Sequence, residues 1–222
     1  MSTSEQWPGQ QPGTAEAEEP EAEAGEVYED DEQTADDEAA VAADEDAEPQ
    51  LRLAGHAPGD LELPDGVEVL EGEVRGTQRG IAVVVARFNG DVTNKLLEAA
   101  LAELDRLDVG RESVTVMAVP GAFELPLGAM ALAKTRRYAA VVALGCVIRG
   151  ETAHFDYVAG EAASGLQLAG LETGVPVAFG VLTTDTLEQA LARVDKGAEA
   201  VRTALEMADV FSQLRSTAQA AR

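Results

Sequence analysis

The sequence has a single cysteine, Cys146, among its 222 residues. One thiol excludes an intramolecular disulfide and any zinc site built from several cysteines, and it is typical of a reducing compartment. We therefore expect a cytoplasmic location. Cys146 lies within an apolar run, so we interpret it as a small core residue rather than a nucleophile.

Basic residues are scarce: 16 Lys and Arg stand against 41 Asp and Glu, and the formal net charge is −25. The imbalance is concentrated at the N-terminus, since residues 1–50 hold 18 acidic residues and no lysine or arginine, whereas residues 69–222 carry only −4. A nucleic-acid binder needs a basic excess to displace counterions from phosphates. We therefore expect no nucleic-acid partner.

Long hydrophobic runs are also missing. The longest nearly uninterrupted one, Tyr138–Ile148, has about eleven residues, against ~20 for a membrane-spanning helix. The first residues, MSTSEQWPGQQPG, show neither the basic nor the apolar region of a signal peptide. We expect no membrane partner.

Composition divides the chain into a tail, a connector and one domain. Residues 1–50 have almost no branched aliphatic side chains, too few to offset the entropy cost of ordering the backbone, so we expect a disordered acidic tail. Residues 51–68 form a connector with proline and glycine. The predicted domain spans residues 69–222.

Within the domain, strand-length apolar runs alternate with segments of helical period. Such alternation predicts the α/β class, with a parallel sheet covered by helices on both faces. The predicted strands are Val69–Val74, Gly80–Arg87, Ser113–Val119, Ala139–Val147 and Val177–Leu182.

Local signals set the predicted helix ends. The first helix has Asp91 or Thr93 as its N-cap and Gly110 as its stop. The second has Pro126 in its first turn and runs to about residue 137, and the third follows residue 152 and ends near residue 174. A capping box of Thr186 and Gln189 starts a last helical region that reaches about residue 214.

In an open parallel sheet, ligands bind beyond the carboxyl ends of the strands, so the residues that follow each strand are the candidate site. Phe88 follows the first full strand, either as a stacking platform for a planar ligand or as a cap on the core edge. Glu124 precedes a proline-started helix, where a carboxylate is favoured by the helix dipole in any case.

The third of these loops combines a helix start with a histidine. Gly150, Glu151 and Thr152 open a helix, and free N–H groups at a helix N-terminus bind phosphate. His154 is one of two histidines in the chain. It is either a solvated surface imidazole or a proton-transfer group beside bound phosphate, a role that imidazole side chains often fill.

Several long segments together resemble the 6,7-dimethyl-8-ribityllumazine synthase family of riboflavin biosynthesis, over about residues 70–214. The matching segments are ARFN (Ala86–Asn89), VPGAFELP (Val119–Pro126), GCVIRGETAHFDYV (Gly145–Val158) and VPVAFGVLTTDTLEQA (Val175–Ala190). Several ordered matches make a resemblance specific.

The resemblance implies a flavodoxin-like three-layer α/β/α sandwich whose N-terminal segment joins a neighbour's sheet. It also implies a homo-oligomer, either a pentamer or a larger shell of pentamers, with active sites shared between subunits. The implied reaction condenses 5-amino-6-(D-ribitylamino)uracil with 3,4-dihydroxy-2-butanone 4-phosphate, without a cofactor or a metal, to give 6,7-dimethyl-8-ribityllumazine, phosphate and water.

The resemblance also assigns roles to individual residues. His154 shuttles protons. The implied substrate-binding residues are Phe88, Asn89, Ala122, Phe123, Glu124, Val147, Ile148, Glu151, Thr152, Phe179 and Arg193. Phe88 stacks on the pyrimidine, Glu124 accepts ribityl hydroxyls, and the Glu151 N–H and Thr152 hold phosphate. Phe179 falls inside a predicted strand, and the family explains this by its reaching a neighbouring subunit's site.

Two features depart from the family pattern. Only Val194 and Asp195 separate Arg193, the match to the family's phosphate-binding arginine, from Lys196, where the family usually has a longer stretch. The acidic tail is the other departure. It suggests an alternative, a catalytically idle shell or scaffold that recruits cationic cargo. A third interpretation, another flavodoxin-like phosphate binder, does not explain GAFE and RGETAH together.

Overall fold

The structure is a computed structural model that describes residues 62–64 and 66–220. The predicted tail and most of the predicted connector therefore lie outside the described residues, and the connector's described part has no helix or strand. Within the described part of the chain, no helix is long and apolar enough to cross a membrane.

The described elements alternate as the sequence predicts. The strands are β1 (Ile81–Ala86), β2 (Val114–Val119), β3 (Ala140–Ile148) and β4 (Val177–Thr184). The helices are α1 (Gly90–Arg106), α2 (Leu125–Lys134), α3 (His154–Thr173), α4 (Leu187–Leu191) and α5 (Lys196–Ala220).

The four strands form one sheet in the order β2-β1-β3-β4, and all of its pairings are parallel. The chain leaves β1 for β2 on one side and then crosses to β3 on the other side of β1. The gap beyond the carboxyl ends of β1 and β3 is therefore the topological switch point, where such sheets bind ligands.

Two apolar layers cover the sheet. The core on one face joins β1 and β3 to α1 and α5, through side chains such as Leu96 and Leu205, and the core on the other face joins them to α2 and α3, through Leu125 and Leu166. All six residues of β1 are buried, as expected for a central strand. The α/β three-layer prediction is confirmed.

Gly197 allows the backbones of α1 and α5 to approach closely. A Cβ on Gly197, near the start of α5, would lie 2.1 Å from the carbonyl oxygen of Leu96 in α1. Only a residue without a side chain allows this backbone approach.

The predicted edge strand Val69–Val74 is wrong, since this segment is irregular and lies along α5. The Glu73 N–H donates to Asp209 Oδ2 at 3.0 Å, and Gln213 Nε2 donates to the Glu71 carbonyl at 2.8 Å. The Arg79 guanidinium bonds both the Leu205 carbonyl and Asp209. The Glu73 N–H, with Gln213 and Arg79, lowers the pKa of Asp209. Two backbone bonds therefore hold the segment against α5, and β2 and β4 are the two edge strands of the described sheet.

Several helix ends also differ from prediction. The N-cap of α1 is Asn89, not Asp91 or Thr93, and α1 ends at Arg106, before Gly110. The second helix stops at residue 134 rather than 137, and the last helical region is split in two and continues to residue 220. The third helix does end at Gly174, which adopts the left-handed conformation at φ 64°.

Candidate functional site

A cavity of about 600 Å³ opens at the carboxyl ends of β1, β2 and β3. It is lined by residues from the end of β3, three loops and the first turns of α3, namely Phe88, Asn89, Gly121, Ala122, Phe123, Glu124, Cys146, Val147, Ile148, Gly150, Thr152, His154, Phe155, Tyr157 and Val158.

Asn89 ties the loop after β1 to β3 across the switch point. Its side-chain Nδ2 donates to the Cys146 carbonyl at 3.0 Å, and its backbone is left-handed at φ 58° and ψ 47°. Asparagine tolerates this conformation better than most residues. The adjacent Phe88 N–H donates to the Pro120 carbonyl at 3.0 Å, which fixes the loops after β1 and β2 to each other.

Aromatic side chains are rare in this chain, at 4% of residues, yet four of them line the cavity. Phe88, Phe123 and Tyr157 are 70%, 56% and 71% exposed, and the fourth is Phe155. Clustered, exposed apolar rings indicate a surface that a ligand covers. The exposure of Phe88 favours a stacking platform over a cap on the core edge.

Glu124 is held in place by the loop that precedes it. Its Oε2 accepts the Gly121 N–H at 2.9 Å. A Cβ on Gly121 would lie 3.2 Å from the same oxygen, so glycine suits this tight turn. One bond to the backbone leaves the carboxylate further acceptor positions for a ligand's hydroxyl groups.

The N-terminus of α3 lies at the same cavity. Residues 150–153 form an exposed turn, and the N-cap residue of α3, Ala153, makes no side-chain capping bond within the described residues. The Asp156 N–H donates to the Ala153 carbonyl at 3.1 Å, whereas the His154 N–H makes only a long contact of 3.5 Å with Thr152 Oγ1. The N–H groups of the first two helical residues, His154 and Phe155, are therefore the ones that an anion can bind. His154, the first residue of α3, is exposed.

Cys146 contacts the cavity but is not arranged as a nucleophile. Its side chain belongs to the core beneath α1 and α5. Burial raises the pKa of its thiol to about 11, so the thiol stays protonated near neutral pH. This agrees with its interpretation as a core residue.

Nine of the twelve predicted site residues line the one cavity. Glu151 does not line it, although it belongs to the same turn as Thr152.

Phe179 and Arg193 lie elsewhere. Phe179 is 47% exposed on the edge strand β4 and lines a second cavity of about 190 Å³ with Lys196. Arg193 is exposed, and its Nη1 donates to the Gln189 carbonyl of α4 at 2.9 Å.

Sequence reasoning missed three lining residues on α3: Phe155, Tyr157 and Val158. Helical spacing could have predicted Tyr157 and Val158, because positions three and four residues after His154 share its helix face.

Comparisons with known proteins identify the family of the chain. The 6,7-dimethyl-8-ribityllumazine synthase family matches residues 78–212. Two curated proteins named 6,7-dimethyl-8-ribityllumazine synthase, from Yersinia pestis (strain Pestoides F) and Yersinia pseudotuberculosis serotype O:1b (strain IP 31758), are each 50% identical over 155 residues, covering 67% of this chain and 99% of each relative. The chain belongs to the 6,7-dimethyl-8-ribityllumazine synthase family.

Proposed function

We propose that the cavity at the switch point is where this chain condenses 5-amino-6-(D-ribitylamino)uracil with 3,4-dihydroxy-2-butanone 4-phosphate to give 6,7-dimethyl-8-ribityllumazine, phosphate and water. The reaction is that of the family. One observation carries the location: a single cavity brings together exposed aromatic rings, a fixed carboxylate, an uncapped helix N-terminus and an imidazole. These groups match a planar ring, a polyhydroxyl chain, a phosphate and a proton transfer, respectively.

The pyrimidine binds between the aromatic rings and the end of β3. Phe88 stacks on its face, and Asn89 and the backbone at Ala122 and Phe123 position it. Along β3, main-chain groups alternate between the two neighbouring strands. The Cys146 carbonyl points toward the Asn89 loop, so the Ile148 main-chain groups point the same way. They face the pyrimidine edge, whereas Val147 contributes its side chain.

The polar ends of the two substrates go to opposite parts of the cavity. Glu124, oriented by the Gly121 N–H, accepts the ribityl hydroxyls. The phosphate binds at residues 150–153 and the first N–H groups of α3, with Thr152 as a hydroxyl donor. The reacting carbonyl of the phosphate substrate is then held close to the pyrimidine amine.

His154 is the proposed proton-transfer group of the site. The pyrimidine amine is already a nucleophile, so its attack on the ketone needs no activation. Protons must move afterwards, because water leaves as the imine forms. The later loss of phosphate from the imine removes a proton from the neighbouring carbon, and the enol that results becomes a ketone. The ribityl-bearing nitrogen then attacks this ketone and a second water leaves, which closes the ring. An imidazole beside both reacting atoms can exchange these protons.

The direct test mixes the purified protein with both substrates and follows the visible absorbance of the lumazine. We expect absorbance to rise only when protein and both substrates are present, faster than the uncatalysed mixture. A folded protein that gives no increase over the uncatalysed rate would favour the idle scaffold instead.

The site is completed by a second copy of the chain. Phe179 and Arg193 do not line the cavity of their own chain, and Phe179 is exposed on β4, an edge strand of the described sheet. A neighbour's cavity facing this edge would receive both side chains, in a pentamer or a shell of pentamers. Light scattering gives the number of subunits.

Mixed assemblies test the shared site. We expect Phe88→Ala and Phe179→Ala chains to be poorly active alone, and their co-assembly to restore activity at roughly a quarter of the interfaces, since random mixing places two intact halves together that often. Each parent carried alone through the same dissociation and reassembly is the control. Confirmed mixing with no gain over either parent contradicts a shared site.

The acidic tail takes no part in turnover, because its composition favours no packed structure that could place a side chain in the site. In the described part of the chain, residues between 88 and 158 line the cavity. We expect a chain that starts near residue 66 to retain the assembly size and kcat of the full chain. A lower kcat or a smaller particle in the truncated chain would show that the tail contributes.

A cytoplasmic location remains a proposal that rests on the single cysteine. Cell fractionation followed by immunodetection tests it, and recovery of the protein outside the cytoplasmic fraction would contradict it.

A further inference from the structure

The turn that carries the proposed phosphate site is weakly held by its own atoms. The N-cap residue of α3, Ala153, has no polar side chain, and the His154 N–H lies 3.5 Å from Thr152 Oγ1, at the long limit of a hydrogen bond. Within the described residues, a single backbone bond, from the Asp156 N–H to the Ala153 carbonyl at 3.1 Å, joins the turn to the helix start. Contacts from residues outside the turn therefore contribute to the direction of the helix start.

Arg149, which follows β3, contacts two successive residues in the first turn of α3. Its Nη1 donates to Asp156 Oδ1 at 3.2 Å, and its Cζ lies 4.0 Å from the centroid of the Phe155 ring. Guanidinium and ring at this distance form a cation–π contact. Phe155 itself lines the cavity.

The other side of Arg149 is fixed to the end of β4. Its Nε donates to Asp185 Oδ1 at 3.0 Å, and its backbone N–H donates to the Thr184 carbonyl at 2.9 Å. The Asp185 N–H in turn donates to Gln189 Oε1 at 2.9 Å. One side chain thus connects the start of α3 to the sheet.

These contacts favour an effect on position rather than on global stability. The side chains of Arg149, Asp156 and Asp185 are 46%, 63% and 69% exposed, and exposed ion pairs contribute little to the free energy of unfolding. A planar guanidinium that stacks on one ring and bonds two carboxylates nevertheless defines a geometry that a lysine ammonium cannot reproduce.

We propose that Arg149 is a positioning residue that orients the 150–153 turn and the start of α3 for the phosphate substrate. The inference rests on the proposed function of that turn. It predicts a selective defect: the phosphate substrate loses affinity, and the pyrimidine, which binds at the ends of β1 and β3, does not.

The kinetic test compares Arg149→Ala, Arg149→Lys and a matched control, Arg111→Ala. Arg111 also forms an exposed two-bond pair with a carboxylate, Asp105, but it precedes β2 at the opposite edge of the sheet. We expect Arg149→Ala to raise KM for the butanone phosphate roughly ten- to a hundredfold, since small displacements in a site have effects of this size. In Arg149→Ala, the KM for the pyrimidine and the Tm should stay near those of Arg111→Ala. In Arg149→Lys, the KM for the butanone phosphate should rise less than in Arg149→Ala.

Hydrogen exchange gives a readout that needs no turnover. In Arg149→Ala, amides of residues 152–158 should exchange faster than in the unaltered chain, whereas Arg111→Ala should leave them unchanged. An unchanged phosphate-substrate KM, equal changes in both KM values, or unchanged exchange at residues 152–158 would each overturn the proposal. If the unaltered chain forms no lumazine, the proposed function fails, and the exchange data alone decide whether Arg149 orients the turn.

Discussion

Replacing His154 with Ala is expected to lower kcat by roughly 10²–10⁴, the usual contribution of a positioned general acid–base group. His154 is the first residue of α3 and lies at the cavity beside the uncapped helix N-terminus. In the proposed reaction, loss of the imidazole would remove the group that exchanges protons in imine formation and phosphate loss. Steady-state kinetics with both substrates saturating measures the change.

The side chain is exposed, so the substitution should leave Tm almost unchanged. His154→Gln, which retains hydrogen bonding but does not titrate, is the matched variant, and it should lose about as much kcat as His154→Ala. A decrease of only a few-fold in both variants would show that water carries the protons. His154 would then be a positioning residue, and the proposed reaction would stand.

The fold was predictable where burial alone determines structure. The β-branched run that became β1 has no polar alternation, and all six of its residues are buried. Strand and helix alternation then required a parallel sheet with two covered faces. Neither inference depends on contacts between distant parts of the chain.

The errors arose where distant contacts decide local structure. Asn89 was not predicted as the cap of α1, because its left-handed backbone is fixed by a bond to Cys146, 57 positions away. Val69–Val74 has strand-like residues, yet bonds to α5 occupy its backbone. Local propensity cannot reveal either partner.

The candidate site was predictable because the ends of parallel strands meet at one edge of the sheet. Loops after β1, β2 and β3 are far apart in sequence, and nine of the residues named from them line one cavity. The proposed role of Arg149 could not be predicted from the sequence, because it depends on contacts with Asp185 and Phe155. The β3–β4 register and the direction of α3 bring these two residues to the Arg149 side chain.

Arg193→Ala is expected to raise KM for the butanone phosphate roughly ten- to a hundredfold. A charge-assisted bond from a guanidinium to phosphate contributes about 1.5–3 kcal/mol, and such a change in binding free energy corresponds to that range of affinity. Arg193 does not line the cavity of its own chain, so in the proposed shared site the affected phosphate would be that of a neighbouring subunit.

Selectivity between the two substrates separates this effect from a general loss of structure. The bond that Arg193 makes in the described chain, to the Gln189 carbonyl at 2.9 Å, is exposed, so its loss should change Tm little. The KM of the ribityl pyrimidine should stay within about twofold, as only the phosphate contact is removed. An unchanged KM for the phosphate substrate would mean that Arg193 is a solvated residue and that the start of α3 binds phosphate without it. Lys196, which pairs with Glu199 beside Phe179, would then be the cation to replace.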